Sequence, residues 1–453
     1  MQRRTLLAGM AGSSLLGACG GGGDGGAAPP PVQAEREVSG RAVVRLASGR
    51  AGLAALDEQL LPLWETGPRR TLVLAPADGS ALRRVEAPAG WSLVDVALHP
   101  SGDLTAVLTQ HGLVRLWRLD ATGAVRRDQP YADALAPLDP FWDEGGAFDP
   151  DALQPVLTQD AARVLALGES VLLVLRTGLN AVVACRLDDG AGGYVRAWRT
   201  LVEPGCSIGG RFLTGGSHDV FDQLVNHAQL RADIGADGTL AVGVVLGSYD
   251  TLAEAHAWHF GAPVAASHGL ILTRLAPDGR RLGSTVVPTA QLSELHALRA
   301  VPGGFAVVGR VRTARPPDGS GWDAFFGHVG TDGSGGAVQV LDVDRGDILF
   351  DIAAQAQGGY VAVGSTGWTQ NPAGASISEG ASPLLVTLAA DGRLQQRLTM
   401  AAGPRHNQLR AVLRHDRQWL VAGMRNGPGT HSGDAEPGLI RADGFVARVP
   451  GLA

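Results

Sequence analysis

The chain has 453 residues, with 38 basic and 44 acidic side chains and a formal net charge of -6, so it carries no basic footprint for nucleic acid. All 38 basic residues are arginines, which excludes a P-loop lysine, a pyridoxal Schiff base and any lysine nucleophile, since each needs a primary amine. With 64 glycines, 26 prolines, 45% hydrophobic and 18% charged residues, the chain can bury a core but is densely punctuated by turns, and it predicts an all-β protein.

Arg3 and Arg4 form a charged n-region, Thr5 to Leu16 an apolar stretch, and Leu16-Gly17-Ala18-Cys19 a small-residue close. About a dozen apolar residues cannot span a hydrocarbon core of roughly 30 Å, so residues 1–18 read as a signal peptide and not as a permanent helix. The closing tetrapeptide resembles the lipobox of bacterial lipoproteins. That resemblance implies a lipidated Cys19 as the first mature residue and a membrane as partner; a plain signal peptide cut nearby is the alternative. Gly20 is not the aspartate that resembles an inner-membrane retention signal, so the expected address is the cell envelope, at the outer membrane. Arg3-Arg4-Thr5-Leu6-Leu7 also looks like a twin-arginine signal, but departs from it at Gln2 and lacks the later lysine; an ordinary n-region explains the pair equally well. Residues 19–40 are the cysteine and a tether, flexible in its glycines and extended at Pro29-Pro30-Pro31.

From residue 41 to 453 one composite unit recurs. Its first half is an apolar run, a tight turn, a second apolar run and a glycine, as in LRADIGADGTLAVG (230–243), ALRAVPGGFAVVG (297–309), IAAQAQGGYVAVG (352–364) and AVLRHDRQWLVAG (411–423). Its second half is a hairpin around an Asp-Gly or similar turn, as in LILTRLAPDGRRLG (270–283), PLLVTLAADGRLQ (383–395) and GLIRADGFVAR (438–448). Asp-Gly supplies the positive φ of a two-residue hairpin turn, and runs such as AVVG suit a strand buried on both faces. Turn glycines at 79, 123, 190, 279, 333, 392 and 444 mark seven such hairpins. A four-stranded unit repeating at more than roughly 40 residues is the pattern of a β-propeller blade. The expectation is therefore a β-propeller of seven four-stranded blades, with 41–69 as a degraded first half of blade one. The repeats resemble the broad WD40-like and delta-60-repeat propellers, although no copy carries the Gly-His or Trp-Asp signature of true WD40 blades. One or two helical turns are expected at Thr251–His259 alone.

In an antiparallel blade, A–B and C–D turns leave one end, and B–C and D–A connections the other. The long connections, 130–160, 203–224, 244–269, 310–323, 365–382 and 424–437, are all of the second kind and predict one insertion face. Long connections on a rigid scaffold are where binding resides. These carry Trp142, Trp258, Trp322 and Trp368, with Asp323, Arg425, Asn426, His431 and Asp434, and exposed tryptophans beside arginine are typical contact anchors. Indoles folded back to fill gaps between blades are the bland alternative.

Other constellations are weaker. His256 and His259 are three residues apart and form a metal-ligand candidate if their loop is helical. Asp344, Asp347 and Asp351 could bind a cation or a sugar, or serve as structural turns. Cys185 and Cys206 read as a disulfide in an oxidising compartment, or as two thiols. No GxSxG motif occurs in the mature chain and no cofactor is implied. The leading expectation is a lipid-anchored envelope propeller that binds a protein or a glycan; the alternative is a propeller enzyme, a metal-dependent lactonase-like hydrolase or a quinoprotein-like oxidoreductase.

Overall fold

Short branched runs broken by Gly-Gly and Asp-Gly turns fold into successive antiparallel meanders, because each turn returns the chain beside the strand it has just made. The computed structural model describes residues 34–39, 41–49, 52–59, 69–76, 81–110, 113–131, 162–176, 182–203, 230–246, 269–291, 293–313, 321–336, 338–370, 376–377, 381–398, 400, 406–415, 417–427 and 443–449. Strand β1 (Ala34–Ser39) comes first. Blade 1 is β2 (Arg41–Gly49), β3 (Gly52–Gln59), β4 (Arg69–Pro76) and β5 (Arg83–Glu86); blade 2 is β6 (Ser92–Leu98), β7 (Leu104–Gln110), β8 (Leu113–Leu119) and β9 (Val125–Tyr131). Blade 3 is β10 (Ala162–Leu167), β11 (Ser170–Arg176), β12 (Val182–Gly190) and β13 (Gly193–Glu203); blade 4 is β14 (Leu230–Ile234), β15 (Leu240–Leu246), β16 (Gly269–Leu275) and β17 (Arg281–Pro288). Blade 5 is β18 (Ser293–Val301), β19 (Gly304–Arg312), β20 (Trp322–Gly330) and β21 (Gln339–Leu341). Blade 6 is β22 (Asp347–Ala354), β23 (Tyr360–Thr366), β26 (Ser382–Leu388) and β27 (Leu394–Leu398), with a two-stranded ribbon, β24 (Thr369–Gln370) and β25 (Ser376–Ile377), between its second and third strands. Blade 7 is β28 (His406–His415), β29 (Gln418–Gly427) and β30 (Asp443–Val449), and β1 pairs antiparallel with β30 as its outermost strand.

The first strand of each blade contacts its counterparts in the two neighbouring blades, and β2 meets β28, so the ring is closed. The protein is a seven-bladed β-propeller, as the repeat predicts. The core is distributed: seven apolar clusters each fill one gap between adjacent blades, from the blade 1–2 gap (Leu56, Leu72, Trp117) round to the blade 7–1 gap (Val43, Leu420, Ala422). Position within the blade sets the sequence pattern. Second strands such as β7 and β23 are buried on both faces and read as unbroken apolar runs, whereas the outer strands β9 and β27 are largely exposed and polar.

Two assignments change. Ala34–Ser39, placed in the tether on its polar sequence AEREVS, is the strand that closes blade 7; an outer strand needs little apolar surface, so composition hid it. Gly444, read as a hairpin turn, lies inside β30, because blade 7 takes its outer strand from the N-terminus and has no hairpin of that kind to make. Gly123, Gly279, Gly333 and Gly392 are turn glycines with positive φ, Gly190 is the last residue of β12 and pairs with Gly193 across its turn, and Gly79 lies outside the described residues. The described residues include no helix, and Thr251–His259 lies outside them.

Candidate functional site

Strand order alone puts the long connections at one end, since β9→β10, β13→β14, β15→β16, β19→β20, β23→β26 and β29→β30 are all D–A or B–C links. At this end blades 5 and 6 build a rim. Arg310, at the end of β19, stands over the ring of Trp322 with its guanidinium carbon 4.5 Å from the centroid, and lies 5.5 Å from the Trp368 ring. It is fixed by Glu294 of β18, donating through Nε (2.8 Å) and Nη2 (2.6 Å) to the two carboxylate oxygens. His296 Nε2 donates to the same carboxylate at 3.1 Å. Burial opposes ionisation of Glu294, but the Arg310 guanidinium and His296 outweigh it and hold its carboxyl well below the usual range. Burial drives His296 down to about 4, so its imidazole is neutral at physiological pH.

Trp322 is half-buried, and its neighbour Asp323 accepts from Thr313 Oγ1 at 2.7 Å. Trp368 is only 6% exposed. Its indole turns inward, packing with Ile348, Phe350 and Ala381, meeting His406 edge-on at 5.4 Å and donating to Ser365 Oγ at 3.2 Å. Of the two tryptophans, Trp322 is the one left partly open. Arg425, on β29, lies over Phe445 at 4.8 Å at the same end of blade 7, and Asn426 follows it in the strand. Trp142, Trp258, His256, His259, His431, Asp434, Cys19 and Cys206 lie outside the described residues; Cys185 is fully buried on β12 among the apolar residues of the blade 2–3 gap.

The aspartates of LDVDRGDILFD separate. Asp344 accepts from the Arg345 N–H, Asp351 faces the channel, and Asp347 accepts from Val343 and Asp344 N–H groups and from Thr366 Oγ1. Asp347 instead meets Asp323 and Asp342, with one carboxylate oxygen from each within 4.8 Å of the others. Burial raises the pKa of both Asp323 and Asp347, and each also feels a neighbouring carboxylate. These are the described side chains best placed to hold a cation, although the turn bonds already occupy Asp347.

The second feature is the central channel, where inner strands of all seven blades enclose a cavity of about 290 Å³. Each inner strand carries a charged residue between two apolar ones: Arg45, Asp95, Arg163, Arg231, Arg299, Asp351 and Arg410. That recurrence was legible in the sequence, but as single polar interruptions of apolar runs it did not stand out; the ring makes it a constellation. The two aspartates work as joints. Asp95 binds Arg45 of blade 1 at 2.8 Å and accepts from the Val164 N–H of blade 3 at 3.0 Å. Asp351 takes a bidentate pair from Arg299 of blade 5, 2.7 and 3.0 Å, and accepts from the Val412 N–H of blade 7 at 3.1 Å. Each carboxylate thus ties three consecutive blades. Arg70, from β4, also reaches the channel and donates to the Val94 carbonyl at 2.8 Å.

Fold and geometry together define a seven-bladed propeller with a tryptophan–arginine rim at one mouth of a charged channel. No protein-family model matches the chain, and no curated protein matches it in sequence. Among solved structures it is similar to YCF48 bound to a D1 peptide (10% identity over 92% of this chain and 99% of that one, TM-score 0.46) and to YCF48 from Cyanidioschyzon merolae (9%, 92% and 98%, 0.45). The β-propeller domain of the Trilobed protease from Pyrococcus furiosus is also similar (10%, 85% and 90%, 0.43). At these identities the likeness is one of fold.

Proposed function

We propose that this propeller is a lipid-anchored binding module of the bacterial cell envelope, which meets a protein partner at the end where the long connections emerge. The observation that supports this most is the rim: a half-buried Trp322 stacked on Arg310, which is itself clamped by a buried Glu294. An aromatic–arginine pair held this way loses little side-chain freedom on binding, and such pairs anchor interfaces. Lipidation at Cys19, followed by the glycine-rich tether, would keep the propeller at the membrane.

The test compares wild type with Trp322→Ala in affinity capture of the native protein from detergent-solubilised envelope. The expected result is a partner retained by the wild type and lost by the variant, with melting temperatures that match within a few degrees. A partner retained equally by both, or none by either, overturns the reading; a retained glycan keeps the site and changes the occupant. Metabolic labelling with palmitate, expected in the wild type and absent in Cys19→Ser, tests the anchor separately.

A further inference from the structure

The strand that closes the ring also fixes where the N-terminal tether leaves it. In blade 7, β28 and β29 are joined by the tight turn between His415 and Gln418. Trp419 and its partner Val449 therefore mark the turn end of the blade, and Arg425 opposite Asp443 marks the end of the long connections. β1 sets Ala34 against Ala447 and Ser39 against Asp443. Its first residue thus lies at the turn end and its last at the connection end, from which Gly40 passes directly into β2. The Trp322–Arg310 pair belongs to the connection end, since Arg310 nears the end of β19 and Trp322 begins β20 across a B–C link. Tether and rim meet the propeller at opposite ends. At the turn end, Asp120, Asp237, Asp332 and Asp391 are already committed, each accepting from an N–H group of its own turn. These turns are polar and satisfied within themselves.

We infer that the propeller stands with its turn end toward the membrane and presents the Trp322–Arg310 rim away from the lipid, to a partner reached through the aqueous phase. This orientation rests on the lipid anchor at Cys19 proposed above and adds which way the binding face looks. Residues 20–33 join that cysteine to Ala34, and even fully extended they reach only about 50 Å. With the turn end down, the attachment point stands beside the lipid and none of that length is used. With the rim down, the attachment point is raised by the height of a blade, about 20 Å for a seven-residue strand such as β30, and the tether must run back along the outside of blade 7. Holding a chain over so much of its length removes conformations, so the first orientation is favoured without any attraction between protein and lipid. Tryptophan beside arginine is also the composition of a membrane-interface anchor. The position of β1 opposes that use here, because Trp322 would reach the head groups only with the tether drawn across the blade.

The experiment reconstitutes the full-length protein, purified from envelope in detergent, into phosphatidylcholine vesicles. Single cysteines at exposed alanines carry a fluorophore: Ala121→Cys and Ala390→Cys in the C–D turns of blades 2 and 6, and Ala89→Cys and Ala290→Cys in the D–A links β5→β6 and β17→β18. Each end is sampled twice, so a variant that fails to fold leaves its counterpart to report. Emission is compared in vesicles with and without a lipid bearing a nitroxide on its head group, and the unsubstituted chain gives the labelling background. The turn labels should be quenched about twofold or more above the link labels, because a blade height of about 20 Å separates the two sets and such quenching is short-ranged. Equal quenching of both sets, or stronger quenching of the link labels, overturns the orientation while the anchor stands. Flotation of the wild type with the vesicles, lost in Cys19→Ser, is the expected result for the anchor itself. A wild type that does not float, or a Cys19→Ser chain that floats as well, overturns anchor and orientation together.

Discussion

Single side chains decide how this ring is held. Asp351 illustrates the logic: both oxygens are committed, to the Arg299 fork and to the N–H groups of Ile352 and Val412. Asp351→Asn keeps the shape but leaves the Arg299 guanidinium facing an amide. Removing one partner of a buried pair strands the other charge, and with Arg299 partly solvated the expected loss is about 2–4 kcal/mol in urea unfolding. His296 makes a second prediction, through pH. Above pH 6.5 its ring is neutral in both folded and unfolded chains and contributes no pH dependence. Between 6.5 and about 4 the unfolded chain takes up a proton that the buried site refuses, so stability falls as pH falls; below about 4 the loss is complete. From pH 7 to pH 5 this amounts to about 2 kcal/mol, and His296→Gln should lose that much less than wild type over the same interval. Glu294, whose folded pKa is depressed, adds a loss of the same sign as pH falls through the carboxylate range. Denaturant midpoints of the two proteins at both pH values give the comparison.

At the scale of the strand, the repeated glycine in AVVG, VAVG and LVAG has a steric cause. Inner strands β18, β22 and β28 each carry a bulge, between Leu295 and Ala297, Leu349 and Asp351, and Leu409 and Ala411. Each bulge presses a main-chain carbonyl toward the second strand, where Gly309, Gly364 and Gly423 stand. A Cβ at Gly364 would stand 1.8 Å from the Ile348 carbonyl oxygen, far inside van der Waals contact, and that oxygen is backbone and cannot swing away. Gly364→Ala is therefore expected to cost about 2–4 kcal/mol, read as a lowered unfolding midpoint, although alanine normally favours a strand over glycine. The same bulges turn Asp351 and Arg410 toward the axis. Much of this level was readable from sequence: alternating apolar runs and turn chemistry place the A–B and C–D hairpins of most blades within a residue or two. The exceptions, Ala34–Ser39 and Gly444, share one cause. A local pattern reports what a segment can pair with nearby, and this strand pairs with one about 400 residues away in the chain.

For the whole molecule, ring closure is the cooperative step. Without β1, the β30 edge would be left with unpaired N–H and C=O groups, and the last blade would have three strands. A chain beginning at residue 41 should unfold at lower temperature than one beginning at residue 20 and associate on concentration, visible by calorimetry and light scattering; equal melting and a monomeric profile in both would show that closure by β1 is dispensable. Charge is also arranged at this scale. Within a chain of net charge -6, the described lining of the channel brings together six arginines and two aspartates, from the seven positions that interrupt the inner strands and from Arg70 of β4.

The unit and its repetition were written in the amino-acid order: turn residues and apolar period are short-range properties, and their recurrence specifies an all-β propeller with its long connections at one end. Packing in three dimensions settled which strand closes the ring, which tryptophan is left partly open, and that seven separate charged residues form one lining. Those outcomes depend on which faces meet when distant blades pack, and no local pattern encodes the distance between Arg45 and Arg299. The rim was half legible, because Trp322, Asp323 and Trp368 announce themselves as residue types. Arg310, Glu294 and the channel arginines did not, since a charge on a strand reads as a solvated face until the ring shows that the face it occupies is the axis.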